Sequence, residues 1–265
     1  MDVNWYLNNY PVITDQNWQQ FVNPVVDGET KQMGCVQRDY QAMPYGSLPF
    51  AGPYDMDLIP EAEWDDLIAD QERNKSSLQH IRERWGIKSL DQDGYGYCWA
   101  FSTVKAVMLL RALQNEPDAG EPLSAWAVAA IIKNYRDQGG WCQQSLEWIV
   151  NNGVPSLKVW PQRGVDRKYD TAEMRADAAK RKVTEWMDME GSNKYQLASN
   201  LLRNIPTMVD GAMPGHSVCA LRLISRQPFR YLIDNSWSPT WGNDGMSILT
   251  RLPSGQAAPR VSNAA

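Results

Sequence analysis

Apolar positions follow a helical period through the middle of this chain and a strand-like one after Pro206. Trp64, Leu67, Ile68, Leu78, Ile81 and Trp85 fall close to helical spacing, with Pro60 suited to a first turn and Gly86 to a stop. They predict an amphipathic helix within residues 60–85 that packs onto the main body. The run CWAFSTVKAVMLLRAL, residues 98–113, is apolar around nearly its whole circumference, which predicts a buried helix. Further helices are expected over residues 124–135 and 144–151, the latter ended by Gly153. A charged surface helix is expected over 170–188 and a shorter helix over 193–204. The stretches HSVCALRLIS, FRYLIDNSW and GMSILTRL then look like strands separated by turn residues. Helices first and strands afterwards predict an α+β fold with two lobes.

The ends of the chain lack such periodicity. Residues 1–58 are rich in Pro, Gly, Asn and aromatics, and MPYGSLPFAGPYD is punctuated every few residues, so this part reads as an ordered loop or extended arm. The final PSGQAAPRVSNAA is small and polar and is expected to fray. The expected organisation is an N-terminal extension over 1–86, a main domain over 87–252 and a polar tail over 253–265.

Composition narrows the class. A hydrophobic fraction of 43% over 265 residues supports a folded core. The net charge of −5, with Lys and Arg scattered, argues against nucleic acid as a partner. No apolar stretch approaches the roughly 20 residues of a membrane span, so no membrane is expected. The opening MDVNWYLNNYPVITD lacks the basic and apolar regions of a signal peptide. Cys35, Cys98, Cys142 and Cys219 are widely spaced and form no CxxC pair, which predicts reduced thiols, no metal site and a cytoplasmic or other reducing compartment.

Cys98 follows the glycine-rich QDGYGYC stretch and begins the long apolar run. It could be an ordinary buried thiol or a nucleophile. A thiol attacks only as thiolate, and a helix N-terminus and a neighbouring imidazolium both favour that form. Only His80 and His216 could supply the imidazole, and His80 is expected to be a solvated residue on a charged helix. His216 begins one predicted strand and Asn235 ends the next, so antiparallel pairing would allow the amide oxygen of Asn235 to orient the imidazole. Trp237 could shield that bond, and Gln92 could donate an N–H to a developing oxyanion.

The segment DQDGYGYCWAFS resembles the active-site segment of papain-like cysteine peptidases, DQGxCGSCWAFS. GHSVCALRLI looks like their histidine strand and IDNSWSPTWGNDGMSIL is similar to their NSWGxxWGxxGY segment, all in the family's order. RDQGGWCQQSLEWIVNNGV resembles their CNGG segment and the helix after it. The resemblance covers about residues 87–250. It implies a helical lobe and a β-rich, barrel-like lobe around a cleft, with catalytic roles for Cys98, His216, Asn235 and Gln92. It further implies that Gly139 and Gly140 pair with an extended substrate. Trp141 would edge the pocket for the second side chain upstream of the cut. Hydrolysis of a peptide or protein substrate through a thioester is the implied activity, with no cofactor. Amidase or transpeptidase chemistry would use the same residues. The family's usual disulfide is missing, since Tyr95 and Asp137 occupy its positions, and Ser238 stands where the family has glycine. Residues 1–86 do not resemble the family's propeptide. They could cover the cleft, or serve an assembly partner if the chain were a structural or attachment component of a larger assembly such as a virus particle.

Overall fold

The computed structural model describes residues 3–260. Helix α1 (Val3–Asn9) and the short strand β1 (Val12–Ile13) are followed by a hairpin of β2 (Val25–Val26) and β3 (Glu29–Thr30). Strand β4 (Ala51–Pro53) precedes α2 (Trp64–Arg73), α3 (Leu78–Arg84), α4 (Cys98–Leu113), α5 (Ala125–Ile132), α6 (Cys142–Asn152) and α7 (Ala172–Ala178). Strand β5 (Glu185–Met189) and α8 (Lys194–Leu202) lead to β6 (Thr207–Met213), β7 (His216–Ser225), β8 (Arg230–Asp234), β9 (Met246–Leu249) and β10 (Gly255–Arg260). No helix among the described residues is long and apolar enough to cross a membrane.

One eight-stranded sheet runs β1-β9-β8-β7-β6-β10-β5-β4. Its interior neighbours are antiparallel, while β1 and β4 add in parallel at the two edges. Strand β7 is buried on both faces, and its residues alternate between two cores. Cys219 and Leu221 belong to the core around α4, α5 and α6, and Val218 and Ala220 to the core that holds Trp237 and the α8 leucines. Period-two alternation thus turns Ser217 toward α4 and His216 toward Trp237. The expected α+β architecture is the one observed.

Several local expectations are corrected. The helix expected within 60–85 is broken in two, because Lys75 adopts φ 50° and Ser77 is extended. The stretch expected to be a charged helix over 170–188 ends as β5. There Asp188 is buried in a two-pronged pair with Arg38 Nη1, at 2.9 Å to each oxygen. A partnered charge can sit where an isolated one could not. The tail expected to fray forms β10 through Arg260, inserted between β6 and β5. Ala257 and Ala258 are fully buried there, Ala257 in the core beneath the helices and Ala258 against Met187 and Met189. The rest of that tail, 261–265, lies outside the described residues. His80 is buried rather than solvated: its Nδ1 meets Ser77 Oγ at 2.8 Å, and burial pushes its imidazole down to about 4.

Candidate active site

Cys98 is the first residue of α4 and has no solvent exposure. The loop before it is held on both sides. Gln92 donates its backbone N–H to Ser236 O at 2.9 Å, and its Oε1 accepts the Ser236 hydroxyl at 2.6 Å. Gly96 donates its N–H to Asp137 Oδ1 at 2.9 Å, and Tyr97 Oη donates to Arg136 O at 2.8 Å. Asp137 therefore ties together the two loops that the resemblance would join by a disulfide. All four cysteines are free.

His216 and Asn235 meet as strand adjacency allows. The imidazole Nε2 lies 2.7 Å from Asn235 Oδ1. The Ser236 amide donates to the same Oδ1 at 2.7 Å, which identifies that atom as oxygen and leaves Nε2 as the ring donor. The neutral ring then carries its free lone pair on Nδ1, which is buried without a partner. Trp237 stacks on the ring at 4.4 Å between centroids, and Trp241 packs edge-on against Trp237.

Helix α4 is registered on β7 by Ser102, whose Oγ lies 2.7 Å from Ser217 Oγ. Cys98 stands one turn before Ser102 on the same helix face. The backbone amides of Ser217, Gly34 and Trp99 face the Cys98 sulfur. Cys98 and His216 are not hydrogen-bonded to each other. Burial pushes the thiol up to about 12, outweighing those amides, and pushes the imidazole down to about 4 against the Asn235 bond. Both groups are neutral in this state.

The cleft is already filled, by the chain itself. Val36 donates its N–H to Gly140 O at 2.8 Å, and Gly140 donates its own to Gly34 O at 2.9 Å. The result is a parallel bridge between Cys35 and Gly140. Cys35 N–H reaches Gly215 O at 2.8 Å, and Gln92 Nε2 donates to Gln32 O at 2.8 Å and to Tyr95 O at 2.6 Å. A Cβ on Gly34 would stand 1.9 Å from Gly96 O, and one on Gly139 would stand 2.7 Å from Gly34 O. Glycine at each is what lets the arm and the loops approach. Gly140 likewise has Trp99 ring carbons 2.7 Å from where its Cβ would be. Trp141 caps the start of α6, with Lys133 Nζ 5.7 Å from its ring centroid. The structure thus gathers Cys98, Gln92, Gly139 and Gly140 around residues 32–36, with His216, Asn235 and Trp237 stacked alongside.

Several residues at the site carried no signal of that role in the sequence. Arg82 Nε donates to Asp234 Oδ2 at 2.7 Å, and Lys105 Nζ lies 3.4 Å from the same oxygen, directly beside Asn235. Ser236 and Asp137 are short polar residues whose importance lies in tertiary contacts alone. The Asp27-Gly28 hairpin was detectable, since DG is a strong turn signal, and both residues adopt positive φ.

The papain family cysteine protease profile matches residues 80–218, just over half of the chain. The chain belongs to that family. Zingipain-2 of Zingiber officinale is 25% identical over 179 residues, 58% of this chain and 78% of that protein. Chymopapain of Carica papaya is 27% identical, and this chain spans about half of its length, 51%. Mouse cathepsin K is 21% identical over 77% of this chain and 66% of its own length. Among solved structures, bromelain from Ananas comosus with the E64 inhibitor aligns with a TM-score of 0.56 and 20% identity, covering 69% of this chain and 97% of that one. Digestive procathepsin L 3 of Tenebrio molitor aligns at 0.58 and 15% identity, covering 98% and 88%. The α+β, two-lobed papain fold is therefore this chain's fold. The family match favours a cysteine peptidase over the attachment role weighed from sequence.

Proposed function

We propose that this chain is a papain-type endopeptidase held latent by its own residues 31–36. One observation carries the reading: the arm pairs its backbone with Gly140, presents the Gln32 carbonyl to the Gln92 side-chain amide and turns the Gly34 amide to the Cys98 sulfur. These are the donors an extended substrate and its oxyanion would use. With the arm displaced, water re-enters and the burial that keeps thiol and imidazole neutral is relieved.

The Cys98 sulfur then attacks the substrate carbonyl carbon and its proton passes to His216 Nδ1. Negative charge collects on the carbonyl oxygen, held by Gln92 Nε2 and the Cys98 backbone N–H. The C–N bond breaks as His216 returns the proton to the leaving amine, which leaves a thioester. Water, deprotonated by the same nitrogen, hydrolyses that thioester and restores the thiol. Asn235 keeps Nε2 engaged so that Nδ1 remains the working atom.

The glycine contact supplies the test. Gly34→Ala would drive a methyl into the Gly96 carbonyl, a backbone atom with little room to retreat. This variant is expected to cleave fluorogenic peptides faster than wild type, and adding Cys98→Ala is expected to abolish that cleavage. A folded Gly34→Ala protein that cleaves no peptide, and whose Cys98 resists a thiol-directed epoxide, would overturn the reading.

A further inference from the structure

Cys35 stands opposite Gly140 in the arm's pairing, and its thiol is turned toward the carboxyl of Asp210 on β6. Any peptide that replaces the arm along Gly140 would put one side chain into this slot. Its floor is polar and incompletely satisfied. Asp210 is 4% exposed; its Oδ2 accepts the Cys142 N–H at 3.0 Å, and the Ser217 hydroxyl and the thiols of Cys142 and Cys35 also face the carboxyl, although its Oδ1 makes no hydrogen bond of good geometry. Gln143 is 1% exposed, and neither end of its amide is partnered. The Tyr40 hydroxyl is buried and unpartnered as well. All three surround Gly255, where an added Cβ would lie 2.9 Å from Tyr40 Oη, 3.6 Å from Asp210 Cβ and 3.9 Å from Gln143 Nε2.

The contrast with Asp188 is informative. That carboxylate is buried too, but Arg38 saturates it. Among the described residues, no Lys, Arg or His forms an ion pair with Asp210. An unpaired buried carboxyl is costly to keep, and a hydrophobic residue would fill the place at lower cost. From this geometry we infer that Asp210 is a specificity-determining residue, which selects substrates carrying Lys or Arg in the side chain that lies opposite Gly140. This rests on the peptidase reading above. Burial raises the Asp210 pKa beneath the arm. Opening to water relieves that burial and favours the carboxylate, and a guanidinium or ammonium then provides the charge and donors that the floor lacks. An aliphatic side chain in the same place would leave the carboxylate desolvated and unpaired.

The test is a set of fluorogenic peptides identical except for Arg, Lys, Gln or Leu at the residue opposite Gly140, the second upstream of the cut. They would be assayed on full-length wild type and Gly34→Ala protein. The kcat/KM for Arg and Lys is expected to exceed that for Leu by about tenfold or more, as for other charge-assisted contacts. In Asp210→Asn that ratio should fall toward one. Should the variant fail to fold, salt gives a second readout on the unsubstituted protein: added salt should erode the Arg advantage and leave Leu cleavage unchanged. Equal cleavage of Arg and Leu peptides would overturn the role of Asp210 and leave the peptidase standing. Cleavage of none would overturn the peptidase reading, and this inference with it.

Discussion

Ser238 adopts φ 84°, a conformation that favours glycine, at a position where papain-like sequences carry glycine. Its hydroxyl explains the exchange. Ser238 Oγ donates to Asp27 Oδ2 at 2.8 Å and Thr240 Oγ1 donates to the same oxygen at 2.7 Å, so the arm's hairpin is fastened to the loop that follows Asn235. Ser238→Gly should relieve backbone strain and release this fastening together. Unchanged or higher melting temperature with a raised basal cleavage rate is the expected result; unchanged basal cleavage would show that the bond does not restrain the arm. His216 gives a second prediction at this scale. Its pKa is about 4 in the closed state against 6.5 when hydrated, so the closed state binds the proton less readily than the open one. Its preference for closure is fully present above 6.5 and is lost as pH falls from there toward 4. Asp210 works in the opposite sense, because its raised pKa gives the closed state the greater proton affinity. Hydrogen exchange at the Cys35 and Val36 amides, corrected for the intrinsic pH effect, should therefore quicken on acidification, and more steeply in Asp210→Asn. A flat corrected rate between pH 7 and 4.5 would contradict the assignment.

At the scale of elements, α4 and β7 were legible because their signals are local. The apolar circumference of residues 98–113 and the run of residues 216–225 set both their type and their ends. The candidate residues Cys98, His216 and Asn235 could be placed for the same reason, since Cys98 begins α4, His216 begins β7 and Asn235 directly follows β8. Strands β5 and β10 were not legible, because their stability comes from partners distant in sequence. Asp188 needs Arg38, and Ala257 and Ala258 need the slot between β6 and β5. The arm's path through the cleft was equally hidden: it depends on Gly34 meeting Gly96, a contact between two backbones that no periodicity encodes. The loop tie through Asp137 is also non-local. Asp137→Ala leaves the Gly96 amide unpaired and should destabilise the protein by about 1–3 kcal/mol, the usual cost of such a loss. It should also lower kcat in the Gly34→Ala background, measurable by denaturant unfolding and initial rates.

Across the whole molecule, a buried ion cluster joins α3 to the sheet. Arg82 of α3 bonds to Asp234 and to Asp244 Oδ2 at 2.8 Å, and Ser89 Oγ donates to Asp234 Oδ1 at 2.9 Å. Arg82→Ala would strand Asp234 beside Asn235 and should cost about 3–5 kcal/mol, as for other broken buried pairs. Thermal denaturation would register it, and a shift near zero would mean that Lys105 alone neutralises Asp234.

The arm's two attachments have a further consequence. Before crossing the cleft it lies along β9, and after crossing it lies along β5, so it contributes both outermost strands of the sheet. A single nick between Gln32 and Val36 would leave each severed end still docked on its own border. The blocking segment therefore behaves as a ligand at a fixed, millimolar-range effective concentration, set by tether length rather than by how much protein is present. Dilution of a stock, however extensive, should not awaken the enzyme.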